Sequence, residues 1–70
     1  MNRSSVVSSD IRSIGYEPST CTPEIEFHGG SVYQYAGVPP VEHSRLLAAG
    51  SKGTRFHEYT KDHFPCIRIA

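Results

Sequence analysis

Residues 24–35 read Glu24-Ile25-Glu26-Phe27-His28-Gly29-Gly30-Ser31-Val32-Tyr33-Gln34-Tyr35. The first half alternates acidic and apolar side chains, the period-two pattern of a strand with one face toward a core. The glycine pair marks a hairpin turn, and Ser31–Tyr35 is the returning strand. Two registers are open. A two-residue loop pairs Phe27 with Val32 and sends Tyr33 and Tyr35 to the face of Glu24 and Glu26. A three-residue loop with a glycine bulge pairs Phe27 with Tyr33 and Ile25 with Tyr35, so both tyrosines join the apolar face. One residue of slip exchanges the faces of the whole strand. The second register is preferred, because a tyrosine carries about 150–250 Å² of mainly apolar surface. A chain of 70 residues needs that area. The first register would leave Tyr33 and Tyr35 as an exposed platform suited to stacking bases.

Upstream, Ile11–Tyr16 reads as a further strand, preceded by Val6-Val7, with Gly15 a weak point or a bulge. Ile11 and Ile14 are out of phase for simple alternation. Either the strand bulges or Ser9–Ser13 forms a helical turn. Glu17-Pro18-Ser19-Thr20 is a turn, with Pro18 at its second position. Pro23 has no amide donor and belongs at a strand start or an edge. Met1–Ser5 is polar and is expected to fray. That gives a flexible segment at residues 1–6 and one domain at 7–70.

Downstream, Pro39-Pro40 suits a helix entry, where a missing N–H costs nothing. Glu42 complements the helix dipole there. Val41, Ser44, Leu47 and Ala48 share a face, with Leu46 and Ala49 beside it. Gly50 is expected to close the helix as a left-handed cap. A second helix is predicted from about Thr54 to His63, with Ser51 or Thr54 as its cap, Phe56, Tyr59 and Thr60 inward and Pro65 as terminator. Ile67-Arg68-Ile69 is a short tail able to add an edge strand. The expected fold is α+β: a three-stranded antiparallel meander followed by two short helices packed on one sheet face.

Composition narrows the function. Seven basic and seven acidic side chains cancel, so binding a polyanion by bulk charge is not expected. No apolar run is long enough to span a membrane. Cys21 and Cys66 stand alone with no pairing motif, and no charged start followed by an apolar run precedes them. Reduced thiols in the cytoplasm are the expectation. The four histidines, His28, His43, His57 and His63, lack the local spacing of a zinc site, so no metal and no cofactor is expected. Cys66 or Ser51 with His57 or His63 lacks the frame of a nucleophile elbow or cysteine protease, and no catalytic residue is assigned. Glu24 and Glu26 read as a solvated face behind Ile25 and Phe27.

The run Gly50-Ser51-Lys52-Gly53-Thr54-Arg55-Phe56 is the main candidate site. A helix start exposes amides without partners, and Lys52 and Arg55 sit beside them, which is the chemistry of an anion contact. It is not a P-loop, because a helix precedes it and Lys52 follows Ser51. Ser51, Lys52, Gly53, Thr54, Arg55 and Lys61 are therefore the expected contacts to a phosphate or carboxylate. Glu58 and Asp62 interleave with these cations and dilute the charge.

From Val7 to Ile69 the chain resembles the KTSC domain. The resemblance rests on Ser8-Ser9-Asp10-Ile11, Ile14-Gly15-Tyr16, Glu24-Ile25-Glu26-Phe27, Gly30, Val32-Tyr33 and Tyr35. It continues through Val38-Pro39, Leu46-Leu47, Ala49, Ser51-x-Gly53, Phe56 and Phe64-Pro65. Pro23, His43, His57 and Thr60 depart from the family pattern. That family is named for its occurrence at the C-terminus of some lysyl-tRNA synthetases and includes short free-standing proteins of bacteria and phages. It has no assigned catalytic activity. The resemblance implies a non-catalytic accessory module, with RNA such as tRNA as partner by context. The alternative is a protein-interaction or homodimerisation module, monomeric or dimeric, with edge pairing through the Ile67-Arg68-Ile69 tail as one route.

Overall fold

The structure, a computed structural model, describes residues 2–70. Five strands form one antiparallel sheet in chain order: β1 (Ser4–Ser5), β2 (Ile11–Glu17), β3 (Thr22–Phe27), β4 (Val32–Tyr35) and β5 (Cys66–Arg68). Helices α1 (Pro40–Ala48) and α2 (Lys52–Tyr59) lie between β4 and β5 in the chain. The α+β class is as expected. The central meander gains two edge strands, one from each end of the chain. Ser4 and Ser5, expected to fray, pair with Ile14 and Ser13.

The hairpin takes a third register. Ile25 pairs with Tyr33 and Glu26 with Val32, two residues from the preferred pairing. The turn begins at once after Phe27: Gly30 N–H donates to its carbonyl at 2.9 Å, and Gly30 adopts φ 93°. Only glycine takes that conformation without strain. A shift of two residues preserves faces, so both tyrosines do lie with Ile25 and Phe27. Tyr35 is buried, and Tyr33 meets Phe27 edge-on at 5.9 Å. In β2 the phase break between Ile11 and Ser13 is a bulge, which turns Arg12 outward and both isoleucines inward. Pro23 is the second residue of β3, opposite Tyr16.

Phe56 from α2 and Leu46 from α1 press onto Ile11, Ile14, Ile25, Tyr35 and Val38, making one core on one sheet face. Phe56 is fully buried and meets both Phe27 and Tyr35 edge-on, at 5.5 and 5.3 Å. The inward stripe of α1 differs from expectation. His43 stacks on Tyr16 with centroids 4.3 Å apart, and Leu46 follows it three residues on. Val41 and Leu47 are consequently exposed. Gly50 is no left-handed cap, because Ala49 ends α1 in extended conformation (φ −67°, ψ 140°). The second helix begins at Lys52 and ends at Tyr59, with Thr60 as its C-cap, earlier than expected at both ends. Thr60 is buried as expected, whereas Tyr59 points out beneath the Arg55 guanidinium.

Candidate functional site

At the helix corner Ser51 occupies the position before α2, yet its side chain caps no amide; its hydroxyl donates to the Thr54 hydroxyl at 2.9 Å. Lys52 folds back, its ammonium donating to the Ala49 carbonyl at 3.3 Å near the end of α1. The Arg55 guanidinium is held by Glu42 at 2.7 Å and lies 3.7 Å over the Tyr59 ring. The expected solvent-facing cation is thus a tie between the two helices. Gly53 is buried against Asp10, whose carboxylate oxygen would lie 2.9 Å from a Cβ added there. A negative charge already stands beside the helix start. Thr54 and Lys61 are exposed. Ser51–Arg55 therefore do form a corner, but its two cations are drawn into intramolecular contacts.

Histidines and cysteines are dispersed. His57 Nε2 lies 3.7 Å from Asp10, and His28 Nε2 is 2.8 Å from the Ser8 carbonyl. Burial holds the pKa of His43 below its ordinary value. Cys21 and Cys66 are free thiols. Among the described residues no group of three or more His, Cys, Asp and Glu is placed to hold a metal ion, and no helix is long and apolar enough to cross a membrane.

The open sheet face, expected to be solvated, is instead partly covered. Arg3 lies across it, paired with Glu24 and donating from Nε to the Ser13 hydroxyl at 3.0 Å. Ser13 donates to Glu26 at 2.8 Å, and Gln34 donates to Glu24 at 3.0 Å. Glu24 is almost wholly buried under this lattice. Burial alone would raise its pKa; hydrogen bonds from Gln34 and Arg3, with the Arg3 charge, outweigh that and lower it. The only sequence signal for this arrangement was the pairing of two acidic residues two apart on one strand. Nothing near Arg3 showed that it would cover them.

At the other edge, all three residues of β5 are exposed, Ile67 at 63%, and Ile69 just beyond the strand is exposed at 45%. Ala36 N–H donates to the Pro65 carbonyl at 2.9 Å and Ile69 N–H to the Val32 carbonyl at 2.8 Å. With Gln34 opposite Ile67, antiparallel alternation turns the Ile67 amide inward, and the amides and carbonyls of Cys66 and Arg68 outward. A shallow cavity of about 220 Å³ adjoins this strand, lined by Thr22, Gln34, Ala36, Pro65 and Ile67 among others. Burial, with the adjacent Cys66, keeps the Tyr35 hydroxyl above its ordinary pKa.

Comparison with known proteins fits this architecture. The KTSC domain model matches residues 7–64, the meander and both helices, and ends before β5. An uncharacterized protein of Stutzerimonas stutzeri is 40% identical over 70 residues, with 99% of each chain covered. Lysine–tRNA ligases of Nostoc sp. and Nostoc punctiforme are 43% and 45% identical over 54 residues, 77% of this chain and 10% of each ligase. A crystal structure of a KTSC domain protein from Yersinia pestis superposes with a TM-score of 0.93 at 43% identity, covering 99% of this chain and 97% of that one. With its sheet, its two helices and most of its length matched, this chain belongs to the KTSC domain family.

Proposed function

We propose that this chain is a non-catalytic protein-interaction module that takes an extended partner segment along the outer edge of β5. The observation that carries the reading is that open edge: a strand with every residue exposed, outward amides at Cys66 and Arg68, and Ile67 and Ile69 beside them. Unpaired strand edges bind further strands unless charge, bulges or cover prevent it. Here the charge on the strand is Arg68 alone. Main-chain bonds would supply the attachment and the two isoleucines the apolar contact.

Capture from source-cell extract with the tagged full chain tests the reading. Arg68→Pro deletes an outward N–H and leaves the bonds to β4 intact. The expected result is a partner that Arg68→Pro loses and that Lys52→Ala with Arg55→Ala retains. Retention by Arg68→Pro and loss by the corner variant would refute it.

A second reading, contact with RNA through Ser51–Arg55 and Lys61, is favoured by one observation, the recurrence of this module within lysine–tRNA ligases. It has Lys61 exposed but needs Lys52 and Arg55 to leave Ala49 and Glu42. Titration with tRNA at about 50 and about 200 mM salt tests it: affinity should fall steeply with salt and drop in the double alanine variant. Salt-insensitive or absent binding would dismiss it.

A further inference from the structure

We infer that a second copy of this chain docks antiparallel on β5, about a two-fold axis through Ile67. This rests on the reading of β5 as the docking edge and names its occupant. The argument is one of parity. Along β5 the outward-facing hydrogen-bonding residues are Cys66 and Arg68, one on each side of Ile67. A two-fold through Ile67 places Cys66 opposite Arg68 of the second copy, and Arg68 opposite its Cys66. Each outward N–H then meets an outward carbonyl, and all three strand residues are used.

Other centres serve the strand less well. A two-fold through Arg68 sets two guanidinium-bearing residues directly opposite, a destabilising like-charge pair. One through Cys66 pairs Arg68 with Phe64, a residue outside the strand. The Ile67 centre instead brings the two most exposed apolar residues of the edge together as a close, non-hydrogen-bonded pair on one face. Pro65 turns its carbonyl to Ala36 of β4, so its lack of an N–H removes nothing from the new ladder. It stands opposite Ile69 of the second copy as a further non-hydrogen-bonded pair. A net charge of zero leaves no overall repulsion between copies. Three residues a side make a small interface, so association depends on concentration.

The register sets the test. With Cys21→Ser and Cys66→Ser as background, Ile67→Cys brings two thiols onto Cα positions about 4.5 Å apart, within disulfide range. Ile69→Cys is also exposed, but its two copies stand about 13 Å apart along the strands. Mild oxidation is expected to give a covalent dimer from I67C and little from I69C. Sedimentation of the unmodified chain should show its mass rise from 7.7 kDa toward twice that with concentration, and Arg68→Pro should abolish the rise. Equal cross-linking of both variants, or a mass fixed at one chain, overturns the self-pairing. If a captured partner is still lost with Arg68→Pro in that case, the edge stands and only its occupant is wrong. If no such partner exists either, both ideas fall.

Discussion

The two faces of this sheet are held by different physics. On one, Phe56 and Leu46 press down on isoleucines and Tyr35, and the face is secured by removing apolar surface from water. On the other, no helix lies over the strands among the described residues. A single arginine from the chain start spans a lattice of Ser13, Glu24, Glu26 and Gln34. In a domain this small, a polar face can be partly closed by one long side chain and the hydrogen bonds it organises. It requires that every buried polar group find a partner. The apolar face should respond to truncation and scarcely to acid through its carboxylates; the polar face should respond to both.

Phe56→Ala is the harshest challenge to the apolar face. Its side chain is fully buried among Phe27, Tyr35 and the isoleucines. The expected loss is about 3–5 kcal/mol, comparable to the whole stability of a core this size. The variant should lack a cooperative thermal transition by circular dichroism. A transition close to that of the parent would mean that the core is not centred on α2.

Arg3→Ala addresses the polar face. It leaves Glu24 charged and buried with Gln34 as its remaining bonded neighbour, and should cost about 1–3 kcal/mol in urea unfolding. The double variant with Glu24→Gln should recover part of that loss. Acid gives an independent view. The folded pKa of Glu24 lies below its ordinary 4.5. Its contribution is therefore complete above that pH and declines as pH falls through the folded value. In Arg3→Ala that acid step should shrink.

His43 gives a smaller effect in a different pH window. Stacked on Tyr16 and partly buried, it has a folded pKa below the ordinary 6.5. Above that value the imidazole is neutral folded or unfolded, and contributes no pH dependence. Below it the unfolded chain takes up a proton first, so stability falls until the folded pKa is reached. His43→Phe should abolish this step and leave the Glu24 step in place. Lys52→Ala should change stability least, by under about 0.5 kcal/mol, because its contact is one ammonium on a surface carbonyl.

The apolar face was legible because its signal is periodic. Ile25 and Phe27 alternate with acids, and Phe56 was placed inward by helical spacing. The hairpin register escaped because the three loop residues His28-Gly29-Gly30 do not say which glycine adopts positive φ. Parity survived the shift, so the faces came out right while the partners did not. His43 escaped because a polar type in an apolar stripe reads as outward until its ring finds Tyr16. The Arg3 lattice escaped altogether: its arginine precedes β1 and its acids lie on β3, and only the folded topology joins them. At the candidate site the corner at Ser51–Arg55 was legible as a place. That Glu42 and Ala49 would take up its two cations depended on how α1 and α2 cross. The tail was legible as an edge strand, but not which of its amides face outward.

On the proposed reading, the working surface is the edge of β5 and not the helix corner. Residue-resolved amide exchange in dilute and concentrated solutions of the intact chain tests it most directly. Cys66 and Arg68 should exchange rapidly when dilute and slow as concentration rises, with Ile67 protected throughout. Rates at those two positions that ignore concentration, with slowing at Lys52–Thr54 when tRNA is added, would contradict it.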